Sequence, residues 1–295
     1  MVQQNCALCE RSDFTVVYQE NFDLQLLDEK IFSARRLPDR IHYRIVRCNR
    51  CGLIYSNPIL EVEKINALYR KSFVSYDAHV ENLVRTYGHY LRQVARYHAE
   101  KGRLLEIGCG SGFFLAEARR QGYVEVYGVE PGEKSVEKAP AEIRARILVD
   151  VIRPGLFPDG YFDVICCFQT LDHLPDPNAV VASCHKLLKP NGVVLFFNHN
   201  VGAWSAKLLG RASPIIDIEH TYLYDTRTMR AMFEKHGFTV REVKSAFNIH
   251  NLSHWVRLFP MPNKVKLAIL RVLEKMGLDV RVKMFAGNLV LYGQK

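Results

Sequence analysis

The chain has 295 residues, 48% apolar and 24% charged, with a formal charge of +9; that length holds one large α/β domain plus a small accessory unit and excludes a collagen-like or low-complexity chain. The first residues, Met1 to Cys6, lack a basic-then-apolar leader, and no apolar run reaches the roughly 20 residues of a spanning helix, so a cytosolic protein is expected. The positive charge favours anionic partners, whether nucleic acid, phosphorylated small molecules or an acidic membrane surface.

Residues 1–60 carry two Cys-x-x-Cys pairs, Cys6/Cys9 and Cys48/Cys51, with short β-like runs at 14–18 and 43–47. Four thiolates suit tetrahedral zinc, and a closed four-cysteine site has no open coordination position, so its expected role is structural. Gly52 follows Cys51 directly and lets the turn present backbone amides to sulfur. The 38 residues between the pairs imply a zinc-ribbon-like unit with an excursion. In residues 61–100, Ile65, Leu68 and Tyr69, then Leu83, Val84, Tyr87, Leu91, Val94 and Tyr97, recur at helical spacing. This stretch is expected to be a helical linker or lid, with Tyr76, Tyr87 and Tyr90 either covering a ligand or packing as core aromatics.

Strand and helix alternate through residues 101–295. Strands are predicted at 103–107, 124–130, 146–149, 161–168 and 193–197, and helices at 113–121, 132–139 and 178–188. A helix at 226–236 and strands at 238–243 and 288–292 follow. The alternation implies a parallel, Rossmann-like sheet covered on both faces. A helical insertion is expected at about 248–284. Its segment 264–276, with Lys264, Lys266, Arg271 and Lys275, is amphipathic; it is expected to pack on the domain, with peripheral membrane contact as the other option.

The first strand of the sheet ends in Glu106-Ile107-Gly108-Cys109-Gly110-Ser111-Gly112. Glycines allow a tight turn and close approach of a ligand to the backbone, and the helix that follows offers unpaired amides. A dinucleotide site normally reads G-x-G-x-x-G; here the pattern is G-x-G-x-G beside a carboxylate, which suits an ammonium better than a pyrophosphate. Glu130 ends the second strand, placed to accept from ribose hydroxyls, and Asp150 ends the third, placed to accept from an adenine amino group.

The segment 104–115 resembles motif I of the class I S-adenosylmethionine methyltransferases. Phe157 to Ile165 resembles that family's fourth strand, and Leu171-Asp172-His173-Leu174-Pro175-Asp176-Pro177 its Glu-His-Leu-x-Asp-Pro turn, with Asp172 in place of Glu. Leu187 to Gly192, Glu219-His220, Tyr224-Asp225 and Gly237-Phe238 agree with the same family. The resemblance implies a seven-stranded sheet with its last strand antiparallel, and a cofactor held by Gly108, Gly110, Glu130 and the residues around Asp150. Glu106, Cys109, Gly112, Pro131, Val151, Phe168 and Gln169 complete the expected contact set. Cys48 to Pro58 resembles the zinc-binding N-terminus of bacterial methyltransferases of surface-polysaccharide and natural-product pathways, and is similar to that of deoxysugar C-methyltransferases. Methylation is implied more firmly than sugar C-methylation, because the chain ends without the additional C-terminal domain of the latter group.

Methyl transfer from a sulfonium is an in-line displacement that mainly needs alignment, with a base where the acceptor is a hydroxyl. His220 and His173 fall where such an acceptor would sit, with His220 slightly ahead as the candidate base; Gln169 is placed to orient the acceptor or the adenosyl group. The leading expectation is methylation of a small polar acceptor, a sugar or related hydroxyl-bearing metabolite. An RNA methyltransferase is the first alternative, and a non-catalytic module that binds S-adenosylmethionine is the second.

Overall fold

The computed structural model describes residues 1–22, 41–71, 80–259 and 261–295. Tyr76, one of the expected lid tyrosines, lies outside the described residues. A small antiparallel sheet contains β1 (Phe14–Tyr18), β2 (Ile45–Cys48) and β3 (Ile54–Ser56). Its fourth member comes from far along the chain: β9 (Tyr222–Leu223) pairs with β3 through Ile54↔Leu223 and Tyr55↔Tyr222.

The main sheet comprises β4 (Arg103–Ile107), β5 (Glu125–Val129), β6 (Ile147–Leu148), β7 (Phe162–Phe168), β8 (Leu188–His199), β10 (Thr239–Asn251) and β11 (Arg281–Gln294). Its order is β10-β11-β8-β7-β4-β5-β6. The pairs among β4 to β8 are parallel, and β11 runs antiparallel to both β8 and β10. The seven strands and the antiparallel last strand match the expectation. All seven residues of β7 are buried, as a central parallel strand covered on both faces requires.

Two layers of side chains hold the sheet. On one face lie α6 (Pro177–Leu187) and α8 (Thr226–Lys235), together with Cys6 and with residues of the small sheet such as Val46 and Tyr55. On the other lie α2 (Val80–Gln93) and α3 (Phe113–Arg120), with Val136 of α4 (Glu133–Glu137) and Ile143 of α5 (Ala141–Arg144). α1 (Val62–Lys71) buries Ile65 in a separate cluster with Tyr43, Ile59 and Ile218. Local chemistry starts these helices where the sequence says. Asp176 caps α6 by accepting from the Ala179 amide at 3.0 Å, with Pro177 in the first turn. Asp225 and Thr228 form a reciprocal capping box on α8.

The insertion differs from the expected helical segment. Its outer residues prolong β10 and β11 into a two-stranded ribbon running to the pair Asn251↔Arg281. On β11 the ribbon's far residues alternate between exposed and half-buried, and on β10 the buried positions are the polar Asn248 and His250, so the ribbon shows no apolar core-facing pattern in sequence. α9 (Leu252–Leu258) and α10 (Asn263–Lys275) sit beyond the ribbon and pack on each other. α10 buries only Leu273, so the expected packing on the body of the domain is slight. α7 (Trp204–Leu209) lies against β11. Among the described residues, no helix is long and apolar enough to cross a membrane.

Candidate active site

The carboxyl ends of β4 to β8 converge on one rim of the sheet, where open α/β folds bind ligands. At the end of β4 the chain takes three left-handed glycines, Gly108, Gly110 and Gly112, with φ of 73°, 54° and 71°. A Cβ on Gly108 would stand 2.5 Å from Thr170 Oγ1, so both the backbone angle and the space require glycine there. Gly112 is the residue before α3. Cys109 turns its thiol inward against Gly128, where an added Cβ would lie 2.5 Å from the sulfur, so this side chain belongs to the core.

Glu130 closes the loop from the next strand. Its Oε2 accepts from the Gly110 amide and its Oε1 from the Gly132 amide, both at 2.9 Å. Burial pushes its pKa up, and the two amides oppose that rise. Pro131 lies between the two anchoring points. Glu106 is buried at the end of β4, opposite Gly128 and Cys166 in the register. Asp150 bends back on its own turn: Oδ1 accepts from the Val151 amide at 2.8 Å and Oδ2 from Arg153 at 2.8 Å. Arg153 holds its carboxyl below the usual range. The structure thus gathers Glu106, the glycines and Glu130 around one loop, with Asp150 and Val151 at the end of the third parallel strand.

Phe168, at the end of β7, stacks on Tyr87 with ring centres 4.1 Å apart and planes 16° apart. The Tyr87 hydroxyl donates to Gln169 Oε1 at 2.9 Å, and Gln169 has φ of 48°. This non-glycine left-handed residue lies where strain is commonly stored at functional positions. Tyr87 and Tyr90 are both buried, which fits core aromatics better than a lid.

A second cluster on this rim centres on a residue that sequence reading missed. His199, the last residue of β8, places Nδ1 2.7 Å from Asp172 Oδ2. Asn198 Nδ2 donates to the other Asp172 oxygen at 2.9 Å. Burial alone would raise the Asp172 pKa; the charge and hydrogen bond of His199, with His173 and His220 nearby, outweigh it and hold the carboxyl well below the usual range. When the ring is neutral, with its Nδ1 proton directed at Asp172, the lone pair of His199 falls on Nε2, which lies 3.5 Å from Gln169 Nε2.

His173 and His220 crowd the same spot. Their ring centres are 4.7 Å apart, and His220 stands edge-on to His199 at 4.6 Å. His173 Nδ1 is 3.1 Å from the Tyr69 hydroxyl. The two histidines singled out from sequence are therefore at the site, but the close carboxylate partner belongs to His199. The available signal was the polar run Asn198-His199-Asn200 ending the apolar strand 193–197; its meaning depends on Asp172, which parallel pairing brings alongside.

Beside His199 the sheet presents buried carboxamides. Asn288 pairs directly with His199 in the β8–β11 register, so their side chains share a face. Asn248 lies two residues beyond Ala246, the β10 partner of Asn288. Both asparagines are buried, and the side-chain oxygen of each has no hydrogen-bond partner among the described residues.

Away from this rim, Cys6, Cys9, Cys48 and Cys51 bring their sulfurs within 4.8 Å of one another. Cys6 and Cys51 are 3.3 Å apart and Cys9 and Cys48 3.4 Å, too long for disulfides. A tetrahedron with zinc–sulfur bonds of about 2.3 Å has edges of about 3.8 Å, so these thiols fit such an ion with small adjustments. Burial works against the Cys48 thiolate, but the Cys51 amide, the Cys9 thiol and the Arg50 amide together outweigh it and bring the pKa down to about 7.

Sheet order, glycine loop and acidic strand ends together define a class I methyltransferase fold. A family model described as a methyltransferase domain matches residues 76–243, more than half of the chain, and the chain belongs to that family. It is similar to the ubiquinone biosynthesis O-methyltransferase of Pectobacterium atrosepticum, 32% identical over 116 residues, 37% of this chain and 48% of that protein. The enzyme of the same name from Idiomarina loihiensis is 36% identical over 126 residues, 40% of this chain and 49% of that protein. The chain spans about half the length of the curated relatives it matches. A solved Bacillus halodurans structure assigned to the methyltransferases aligns with a TM-score of 0.50 at 18% identity, covering 70% of this chain and 98% of that one; it supports the fold.

The glycine loop gives a direct test. Gly108→Ala combines a left-handed φ with the Thr170 clash, and is expected to destabilise the chain by about 1–3 kcal/mol in denaturant unfolding. A neutral result would show that the loop does not require its left-handed turn.

Proposed function

We propose that the protein transfers a methyl group from S-adenosylmethionine to a hydroxyl of a small polar acceptor, a sugar or related metabolite, with His199 as the base. The observation that carries this reading is the Asp172–His199 pair at 2.7 Å, at the rim where the glycine loop also ends. The names of the relatives, ubiquinone biosynthesis O-methyltransferases, support transfer to oxygen.

S-adenosylmethionine, when bound, supplies a sulfonium methyl with a good leaving group. Glu106 offers a carboxylate to its ammonium, and Gly108, Gly110 and Gly112 let its backbone-facing edge come close. Glu130 is held by the Gly110 and Gly132 amides and keeps lone pairs for the ribose hydroxyls. Asp150 and Val151 border the adenine. Asp172 fixes the His199 tautomer, so Nε2 takes the acceptor proton as the new bond forms. The Tyr87–Gln169 hydrogen bond holds the Gln169 amide toward His199, where it orients the acceptor. His173 and His220 wall the acceptor in and keep the Asp172 charge compensated. The side-chain oxygens of Asn248 and Asn288, buried without partners, favour an acceptor bearing several hydroxyls, since such an oxygen left unsatisfied costs about 1–3 kcal/mol.

The cysteine cluster is read as a structural zinc site of Cys6, Cys9, Cys48 and Cys51. It closes the small sheet and has no part in methyl transfer.

His199→Ala is expected to lower kcat roughly 100- to 10,000-fold while calorimetric binding of S-adenosylmethionine stays as in the parent. Glu130→Ala should do the reverse, weakening that binding at least about tenfold through the loss of hydrogen bonds from a charged acceptor. Full turnover by His199→Ala removes it as the base; absence of any binding heat in the parent removes the donor assignment as well.

Metal analysis of the purified chain is expected to find one zinc per chain. Cys48→Ser should abolish that content and lower the thermal midpoint, since a structural site of this kind contributes several kcal/mol. Well under one zinc in the parent rejects the assignment.

A further inference from the structure

The helices at the ribbon's tip have no role in the site described above, yet with the strand ends that carry them they concentrate two features of the chain. Residues 252–285 hold seven basic side chains, Arg257, Lys264, Lys266, Arg271, Lys275, Arg281 and Lys283, against the acidic Glu274 and Asp279. Five of the chain's nine net positive charges are therefore carried by this arm. The same segment exposes large apolar side chains, including Phe259, Val265, Val272 and Met276, each about half or more accessible.

On α10 these residues form a pattern. Val265, Ala268, Val272 and Met276 recur at intervals of three and four and make one stripe along the helix. All four are exposed, while Leu273 is the only buried residue of the helix. Lys264, Arg271 and Lys275 follow one edge of the stripe. The other side of α10 faces α9 across a groove of about 260 Å3 lined by Arg257, Asn263, Lys266, Leu267 and Leu270, with Lys266 donating to the Arg257 carbonyl at 2.8 Å. Two cations thus stand beside apolar side chains in one concavity. At the base of the arm, the half-exposed Phe285 accepts through its carbonyl from the exposed Trp204 indole at 3.0 Å.

We infer that the α9–α10 arm docks on an anionic phospholipid surface, the α10 stripe entering the acyl boundary and the basic residues meeting the headgroup phosphates. Charge selects this occupant. An exposed apolar stripe alone would serve a second copy of the chain equally well, but a like-charged copy would bring five positive charges against five. An anionic bilayer turns the same charges into attraction, worth about fivefold in binding for each Lys or Arg near the surface. A helix lying in the membrane plane needs this combination of a continuous apolar face and flanking cations.

The test is co-sedimentation of the full chain with vesicles of phosphatidylcholine alone and of phosphatidylcholine with about one third phosphatidylglycerol. Binding to the anionic vesicles, little to the neutral ones, and release by salt are expected. The exposed double change Val265→Asp with Val272→Asp should reduce partitioning at least about tenfold, and Lys264→Gln and Lys275→Gln about fivefold each. All of these variants should bind S-adenosylmethionine as the parent does. Equal partitioning to both vesicles, none to either, or full binding by the double Asp variant overturns the inference. So does a concentration-dependent dimer that the double Asp variant abolishes without any vesicle binding, which would give the face to a second copy.

Discussion

The buried carboxylate of Asp172 is the constraint on which the proposed acceptor side of this molecule turns. An ionised carboxylate removed from water carries a penalty of several kcal/mol unless its lone pairs are filled. Here they are filled from two directions: Asn198 donates to one oxygen and His199 to the other, through both ring and backbone nitrogens. The backbone carbonyl of the same residue accepts from the Thr221 amide at 2.8 Å and its hydroxyl at 3.1 Å. One residue thereby joins the turn after β7, the end of β8 and the segment leading into β9.

That last link draws the small N-terminal sheet into the site. Thr221 precedes β9, and β9 completes the sheet that begins with β1. The Ser56 hydroxyl donates to the His220 carbonyl at 3.2 Å, so the loop bearing His220 is held by strand pairing on one side and Asp172 on the other. The cysteine turn is tied to the main domain as well, since the Ala7 carbonyl accepts from Asn178 of α6 and Lys235 of α8, both at 2.9 Å. A sheet with strands of two to five residues has too little apolar area to order itself. A shared core with the main domain helps to fix it, and the zinc proposed for the four cysteines would staple its other edge.

The donor half was legible in the sequence because its determinants are local. Strand, glycine turn and helix follow within residues 103–120, and the acidic strand ends repeat at the right intervals, so Glu106, Gly108, Gly110 and Glu130 read correctly as one neighbourhood. The acceptor half was not, because its determinants are pairings. His199 gains meaning only when β7 and β8 lie side by side and bring it to Asp172, 27 positions earlier. The two residues of β9 have no periodicity to detect, and Tyr222-Leu223 becomes a strand only because β3 offers an edge. The ribbon escaped for a related reason: its β11 half alternates between water and half-cover, and the buried positions of its β10 half are the polar Asn248 and His250, so no apolar face marks it as strand. Cys109 shows what the sequence could not give, the direction of a loop side chain: its thiol faces the core, which leaves only its backbone for a ligand.

The pairing that hid the acceptor half also joins it to the arm. β10 carries Asn248 and delivers the chain to α9 at Leu252; β11 returns from Arg281 past Met284 to Asn288, opposite His199. Three residues of strand separate Asn248 from Leu252, the first residue of the arm's first helix, a distance of four steps or about 13 Å at about 3.3 Å per residue. The carboxamides proposed to grip the acceptor and the helices proposed to meet a bilayer are therefore two ends of one short lever. A surface that fixes α9 and α10 also fixes the height of the acceptor wall above it. An acceptor presented from that surface, polar where it meets Asn248 and Asn288 and anchored below, would need no diffusion through bulk water to reach His199. A freely dissolved acceptor would gain nothing from the arm, so turnover of the same polar group with and without a lipid anchor, on vesicles and off them, distinguishes the two uses of the same site.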